Sequence, residues 1–239
     1  LKNSIEVDED IDLIKKVATV SSNSEEIGNM IYDIVSEIGI YGDIDFKETN
    51  KSKTSISVVK GMKIYKGYYA PFLCLDYDKM NWNVEECNVL VYDSIIRDYH
   101  DIKDFIQSSV NNQGNPIPLL VYCQDIADTV LERIKMTMQH NPRPLMFIEM
   151  DGFGDSRIEI MNDLCLLTGA TIIDTTSRIP NPASMMGRCD EIRVDRDYAC
   201  FIGGHGNQED IDEYAEYLKI RIKEDPELTK KDKKYYSRR

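Results

Sequence analysis

No run of about 18 consecutive apolar residues occurs in the chain, which excludes a membrane-spanning helix. Clustered cations are also missing: 29 Lys and Arg stand against 42 Asp and Glu, for a net charge of −13. Nucleic-acid binding needs massed Lys and Arg against phosphate, so that class is set aside. The one basic cluster, Lys230 to Arg239, is interleaved with Asp232, Tyr235 and Tyr236 and reads as the solvated face of a last helix. The six cysteines (Cys74, Cys87, Cys123, Cys165, Cys189 and Cys200) contain no Cys-x-x-Cys pair. Several lie inside apolar runs, which reads as reduced, mostly buried thiols in a cytoplasmic type of compartment. There are three histidines, His100, His140 and His205, none at the i, i+4 spacing of a helical metal pair, so no metal site is expected. The start, Leu1 to Asp10, has neither an initiating Met nor a signal-peptide core, and reads as a piece of a longer chain.

Catalytic motifs are equally scarce. Three glycine-rich turns, Asp151 to Asp155, Thr168 to Thr171 and Gly203 to Gly206, lack the spacing of a phosphate loop or a dinucleotide fingerprint. Tight turns between strands and helices explain them. Cys200 and His205 could form a nucleophile and base, but no orienting partner is marked. No repeat, low-complexity segment or linker breaks the composition.

What is present is the balance of a folded protein: 239 residues, 42% hydrophobic and 30% charged, enough for one large domain or one and a fraction. A short helix is expected within residues 1–20. A second has Ser24 as its N-cap and carries Ile27, Ile31, Ile34, Val35 and Ile38 on one stripe, stopped by Gly39 and Gly42. Strand-like alternation at Ile44 and Phe46 and again over 55–59 adds a small two-stranded unit. Residues 1–60 hold too little core to stand alone.

The stretch Val58 to Leu73 has glycines at 61 and 67 around an extended run that carries Met62, Ile64, Tyr68 and Phe72. Two readings are open: a hairpin packed into a core, or a hinge followed by a segment that presents aromatic groups to a partner. An irregular acidic stretch, 76–86, holds the only tryptophan, Trp82. Beyond it, apolar runs at 88–92, 118–123, 145–150 and 171–174 alternate with helices over 101–110, 125–139 and 156–167. That alternation indicates an α/β layer with parallel strands. A polar, Pro-containing loop over 178–189, strands over 191–194 and 199–202, a helix marked by Ile211, Tyr214, Leu218 and Ile222, and a basic last helix complete the reading. On the helix over 125–139, Ile126, Val130, Ile134 and Met138 form the core stripe. Leu131 lies at its edge, and Met136 faces the polar side, where an adaptable thioether suits apolar binding.

Six segments in this order, 17–26, 58–72, 118–121, 152–157, 166–171 and 203–206, resemble the group I chaperonins, the GroEL family. The resemblance covers roughly residues 12–239. It implies a GroEL-like apical domain (61–239, of the swivelling β/β/α type) preceded by one arm of the α+β intermediate domain (1–60). It further implies capture of non-native polypeptides on an apolar apical surface, a possible GroES-like lid co-chaperonin, and a homo-oligomeric ring in the parent, this fragment alone being a monomer. Position by position, Tyr68, Phe72 and Leu73 match the client-binding loop, with Ala70 where that loop has a small polar residue. Ile106, Leu131 and Met136 match apolar contacts of the two groove helices, while Ser109 and Lys135 stand where the family has further apolar contacts. Gly61 matches a hinge glycine, and Lys66 an inter-subunit salt-bridge donor whose acid would belong outside this chain. The nucleotide loop and catalytic Asp of the equatorial domain, with ATP and Mg, would also lie outside it, so no cofactor and no ATP hydrolysis are expected of this chain. The Ile, Lys, Asn and Tyr content suits an AT-rich source such as a large bacteriophage, the protein then working in the host cytoplasm. The competing reading is a stand-alone α/β domain, enzymatic or ligand-binding, that holds a small anion in its glycine turns.

Overall fold

The computed structural model describes residues 10–39, 42, 44, 54, 56, 58, 61–152, 154–229, 232, 233, 235 and 236. Among them are six α-helices and seven strands in one mixed sheet, so the chain is mixed α/β. It divides into two compact units, Lys60–Tyr217 and a second formed by Leu1–Val59 with Leu218–Arg239. The division falls at Lys60 and again inside the last helix, α6 (Gln208–Glu224).

In the smaller unit, α1 (Ile11–Ser22) and α2 (Glu25–Ile38) make a helical hairpin. Asp10 caps the first by accepting from the Leu13 amide at 3.1 Å, and Ser24 caps the second by accepting from the Ile27 amide at 3.3 Å. Asn23 turns the chain between them in the left-handed region (φ 52°), which its short polar side chain tolerates. The helices meet at Gly28, where a Cβ would lie 1.8 Å from Thr19 Oγ1. The strands expected at 44–46 and 55–59 fall largely outside the described residues.

The larger unit is built on β2 (Trp82–Ile96), the longest strand. On one side it pairs in parallel with β3 (Leu119–Ile126), which pairs in parallel with β4 (Leu145–Glu149). On the other side β6 (Gly187–Val194) runs antiparallel along Trp82 to Val89, and the short β5 (Ile172–Ile173) takes over in parallel at Val91 and Tyr92. Then come β7 (Ala199–Gly204) and β1 (Gly61–Ile64), giving the order β1-β7-β6-β2-β3-β4. Residues Leu119 to Cys123 and Leu145 to Ile148 are buried without a break, the signature of parallel strands covered on both faces. The connecting helices are α3 (His100–Ser108), α4 (Asp128–His140) and α5 (Asp155–Thr168).

Several expectations change. Trp82 to Glu86 is not irregular: Trp82 and Val84 point inward and Asn83 and Glu85 outward, so acidic residues on the outer face hid a period-two strand. Trp82 is fully buried. The 178–189 loop contains a 3-10 turn at Pro182–Met185 and already enters β6 at Gly187. Asp125 and Ile126 belong to β3, because Ile126 pairs with Ile96; α4 therefore starts three residues later than its apolar spacing indicated. Among the described residues β1 pairs with β7, 135 or more residues away along the chain, rather than in a local hairpin.

Residues 66–69 close the sheet on itself. The Tyr68 amide donates to the Asp195 carbonyl in the β6–β7 turn (3.0 Å), and the next amide, Tyr69, donates to Phe147 of β4 (2.8 Å). Those acceptors lie towards opposite ends of the strand order, so consecutive amides can reach both only if the sheet curls. Gly67 makes this possible: a Cβ there would lie 2.2 Å from the Arg196 carbonyl and from the Asp195 oxygen. Gly61 has a similar cause, because its Cβ would lie 2.1 Å from the Phe201 oxygen across the β1–β7 ladder.

Candidate functional site: an apolar groove beside helix α4

After closing the sheet, the chain enters a 3-10 turn at Pro71–Leu73. Pro71 supplies the fixed φ of a first helical position. The following turn is tied by Asp76, whose carboxylate accepts from the amides of Asp78 (3.1 Å) and Lys79 (3.0 Å). Between this segment and the second half of α4 lies a groove of about 470 Å³. Its apolar lining comes from Phe72, Leu73, Leu75 and Tyr77 on one wall and Met138, Pro142 and Pro144 on the other. Leu75 is 50% and Tyr77 65% exposed, so much of this lining is in water. The Lys135 ammonium reaches over the groove to 5.7 Å from the Phe72 ring.

The residues expected to bind polypeptide are not all brought together. Phe72, Leu73 and Lys135 meet in the groove, although Leu73 is 1% exposed and is floor rather than contact surface. Tyr68 is half-buried against the core. Ile106 is buried, and Ser109 caps the end of α3 from inside, accepting from Asn88 Nδ2 (2.9 Å) and donating to the Ile117 carbonyl (3.0 Å). The resemblance places Ser109 where the family has an apolar contact; α3 ends at Ser108, and the hydroxyl serves the turn that follows. Leu131 is half-buried on the core. Met136 is exposed but lies outside the groove lining, 100° round α4 from Lys135. It sits one turn beyond Arg133, whose guanidinium lies 4.6 Å over the Tyr99 ring, on the side of α4 that faces α3. Sequence reasoning missed Leu75, Tyr77 and the two prolines; Met138, read as core, does pack against the core and also lines the groove. The available signal was Leu75 and Tyr77 at i, i+2 directly after Phe72.

A second concavity, about 220 Å³, lies at the carboxyl ends of the parallel strands β2, β3 and β4. Such ends are where open α/β sheets bind ligands. Here Lys66, Asp125, Glu149, Asp151 and Arg157 gather, and the Nε of Arg157 is buried with no hydrogen-bond partner among the described residues. Lys66 was expected to find its acid in another subunit; within the chain its Nζ lies 3.4 Å from Glu149 Oε2, which the curl of the sheet brings beside it. Arg157 lies 3.6 Å from Asp93, which also accepts from Gln124 Nε2 at 2.7 Å. Asp125 accepts from the Tyr69 hydroxyl at 2.5 Å. Burial and then that bond push the Tyr69 pKa up to about 12. Asp151 turns back to accept from the Gly152 amide at 2.9 Å. No group of three or more His, Cys, Asp or Glu side chains among the described residues is placed to hold a metal ion.

The glycine turns have structural causes. Gly169 ends α5 in the left-handed region (φ 76°), and Gly204 and Gly206 let the chain pass against that helix, where added Cβ atoms would lie 2.2 Å from the Leu167 oxygen and 1.8 Å from the Leu166 oxygen. His205 does have an orienting carboxylate, Asp190 at 2.7 Å from Nε2. Cys200 is five residues back along β7, about 16 Å away at the strand rise, so the two do not form a nucleophile and base. All six cysteines are free, four of them buried, and burial raises the thiol pKa of Cys165 and Cys189 to about 12. No helix among the described residues is long and apolar enough to cross a membrane. No protein-family model matches the chain.

Proposed function

We propose that this chain is a polypeptide-binding module, the apical part of a chaperonin subunit, that holds apolar segments of non-native proteins. The observation that carries the reading is the groove between residues 71–77 and α4, with Leu75 and Tyr77 open to water. A client segment that covers these side chains gains about 25 cal/mol per Å² of apolar surface removed from water. Gly61 stands at the start of the larger unit, as a hinge between apical and intermediate domains would. The order of the six chaperonin-like segments supports the assignment, and with it a ring-shaped parent, ATP and Mg in a domain outside this chain, a cytoplasmic setting and a lid co-chaperonin that shares the groove. Weak single-site capture then becomes useful through several copies in one ring. The competing small-ligand reading places an anion in the glycine turns, but Gly204 and Gly206 pass so close to α5 that added Cβ atoms would meet its carbonyl oxygens.

The test is fluorescence anisotropy of a labelled, chemically unfolded protein titrated with this chain and with its Leu75→Ser/Tyr77→Ser variant. We expect saturable binding that weakens roughly tenfold in the variant, about what the exposed apolar area supplies, with the melting temperature unchanged. Equal binding by both proteins, or none by either, overturns the reading.

A further inference from the structure

We infer that the groove selects, among apolar segments, those that carry an acidic side chain. This deepens the reading above and rests on it. The chain as a whole is strongly acidic, with a net charge of −13, yet among the described residues the charged ones lining the groove are Lys135 and Arg143. A concavity of +2 in a negative molecule is a local reversal of sign, and charge complementarity of this kind sets partner choice more than raw affinity.

The two cations differ in availability. Arg143 is partly committed, since its Nη1 donates to the Ile106 carbonyl at 2.8 Å, which fixes the guanidinium at the groove's edge. Lys135 is exposed, forms no ion pair among the described residues, and has its ammonium 5.7 Å from the Phe72 ring. An ammonium over an aromatic face gains little in water and leaves its hydrogen-bond donors open to an incoming anion. The carboxylate of Asp76, beside Leu75 on the groove wall, is engaged elsewhere: it caps its own turn and faces Lys79 at 3.9 Å. A segment lying along Phe72, Leu75 and Tyr77 would thus bury its apolar side chains on one wall and place a Glu or Asp against Lys135. A Lys or Arg at that place would meet like charge. The partner is a non-native polypeptide whose acidic group is a side chain within the apolar segment, rather than its terminal carboxylate.

Anisotropy of labelled, N-acetylated and C-amidated peptides tests this with the whole chain. The peptides share one apolar sequence and carry two Glu, two Gln or two Lys; a fourth is the Gln peptide with a free carboxyl terminus. We expect the Glu peptide to bind about two- to fivefold more tightly than the Gln peptide and the Lys peptide to bind least, the range that exposed charge pairs supply. The difference should collapse in high salt, and Lys135→Glu should invert the order. Equal binding of the Glu and Gln peptides, unchanged preference in Lys135→Glu, or a gain confined to the free carboxyl terminus overturns the inference while leaving apolar capture in place. Failure of the Gln peptide to bind at all overturns the groove reading itself.

Discussion

The two concavities of the larger unit lie on either side of residues 66–73 and are built on opposite principles. In the strand-end crevice most charges lie against a neighbour, Lys66 with Glu149, Arg157 at 3.6 Å from Asp93 and Asp125 with Tyr69, while the buried Nε of Arg157 has no hydrogen-bond partner among the described residues. In the groove Leu75, Tyr77 and Lys135 are left facing water. Mutually satisfied polar groups hold a geometry and have little left for a ligand. Unsatisfied apolar surface does the reverse, because it can accept many shapes at modest cost. The crevice thus acts as a clasp that fixes the segment leading into the groove, while the groove remains adaptable.

The sharpest way to break this contrast is Gly67→Ala. Its Cβ would meet backbone atoms at 2.2 Å, and backbone cannot step aside as a flexible side chain can. A loss of about 2–4 kcal/mol in denaturant unfolding is expected, with peptide binding lost as well. Leu73→Ala should cost nearly as much, about 2–4 kcal/mol, because a buried floor residue leaves a cavity; if stability holds and only binding falls, Leu73 is a contact residue after all. Ser109→Ala should cost about 1–2 kcal/mol by leaving Asn88 Nδ2 and the Ile117 carbonyl without their partner, with no change in peptide affinity.

The clasp also has a pH signature. Tyr69 and Tyr122 both have hydroxyls pushed up to about 12, chiefly by burial. A pKa raised in the folded state contributes stability fully present below the unfolded value of about 10 and lost as pH rises through about 12. Stability should therefore decline between about pH 10 and 12, less steeply in Tyr69→Phe, as followed by far-UV circular dichroism. The smallest expected effect is Met136→Ser: within about 0.5 kcal/mol of wild type in stability, and unchanged in peptide binding, because this methionine lies outside the groove. A marked loss of binding would extend the client surface around α4 towards α3.

Much of the architecture was legible because it was local. The caps at Ser24 and Gly39, the unbroken apolar runs of β3 and β4 and the helices between them announce themselves within windows of ten or so residues. Trp82 to Glu86 escaped because its outward acids imitate a loop. The groove was legible in part: Phe72 and Lys135 were named, Ile106 and Ser109 lie buried and Leu131 half-buried outside its lining, and Leu75 and Tyr77 gave no signal beyond their spacing. A helix stripe says which residues share a face, and it does not say how deep the neighbouring loop will bury them.

The sequence by itself determined the alternation of strands and helices, the α2 cap, the lack of a membrane-spanning helix and the acidic character of the whole. These depend on propensity, periodicity and composition, which are properties of neighbours along the chain. The tertiary structure alone decided that β1 pairs with β7, that consecutive amides at 68 and 69 tie the β6–β7 turn to β4, that Lys66 finds Glu149, and that a positive, apolar groove opens beside α4. Each of these depends on residues dozens of positions apart being brought within a few ångströms, and contact at that separation is set by how the elements pack rather than by any window of sequence.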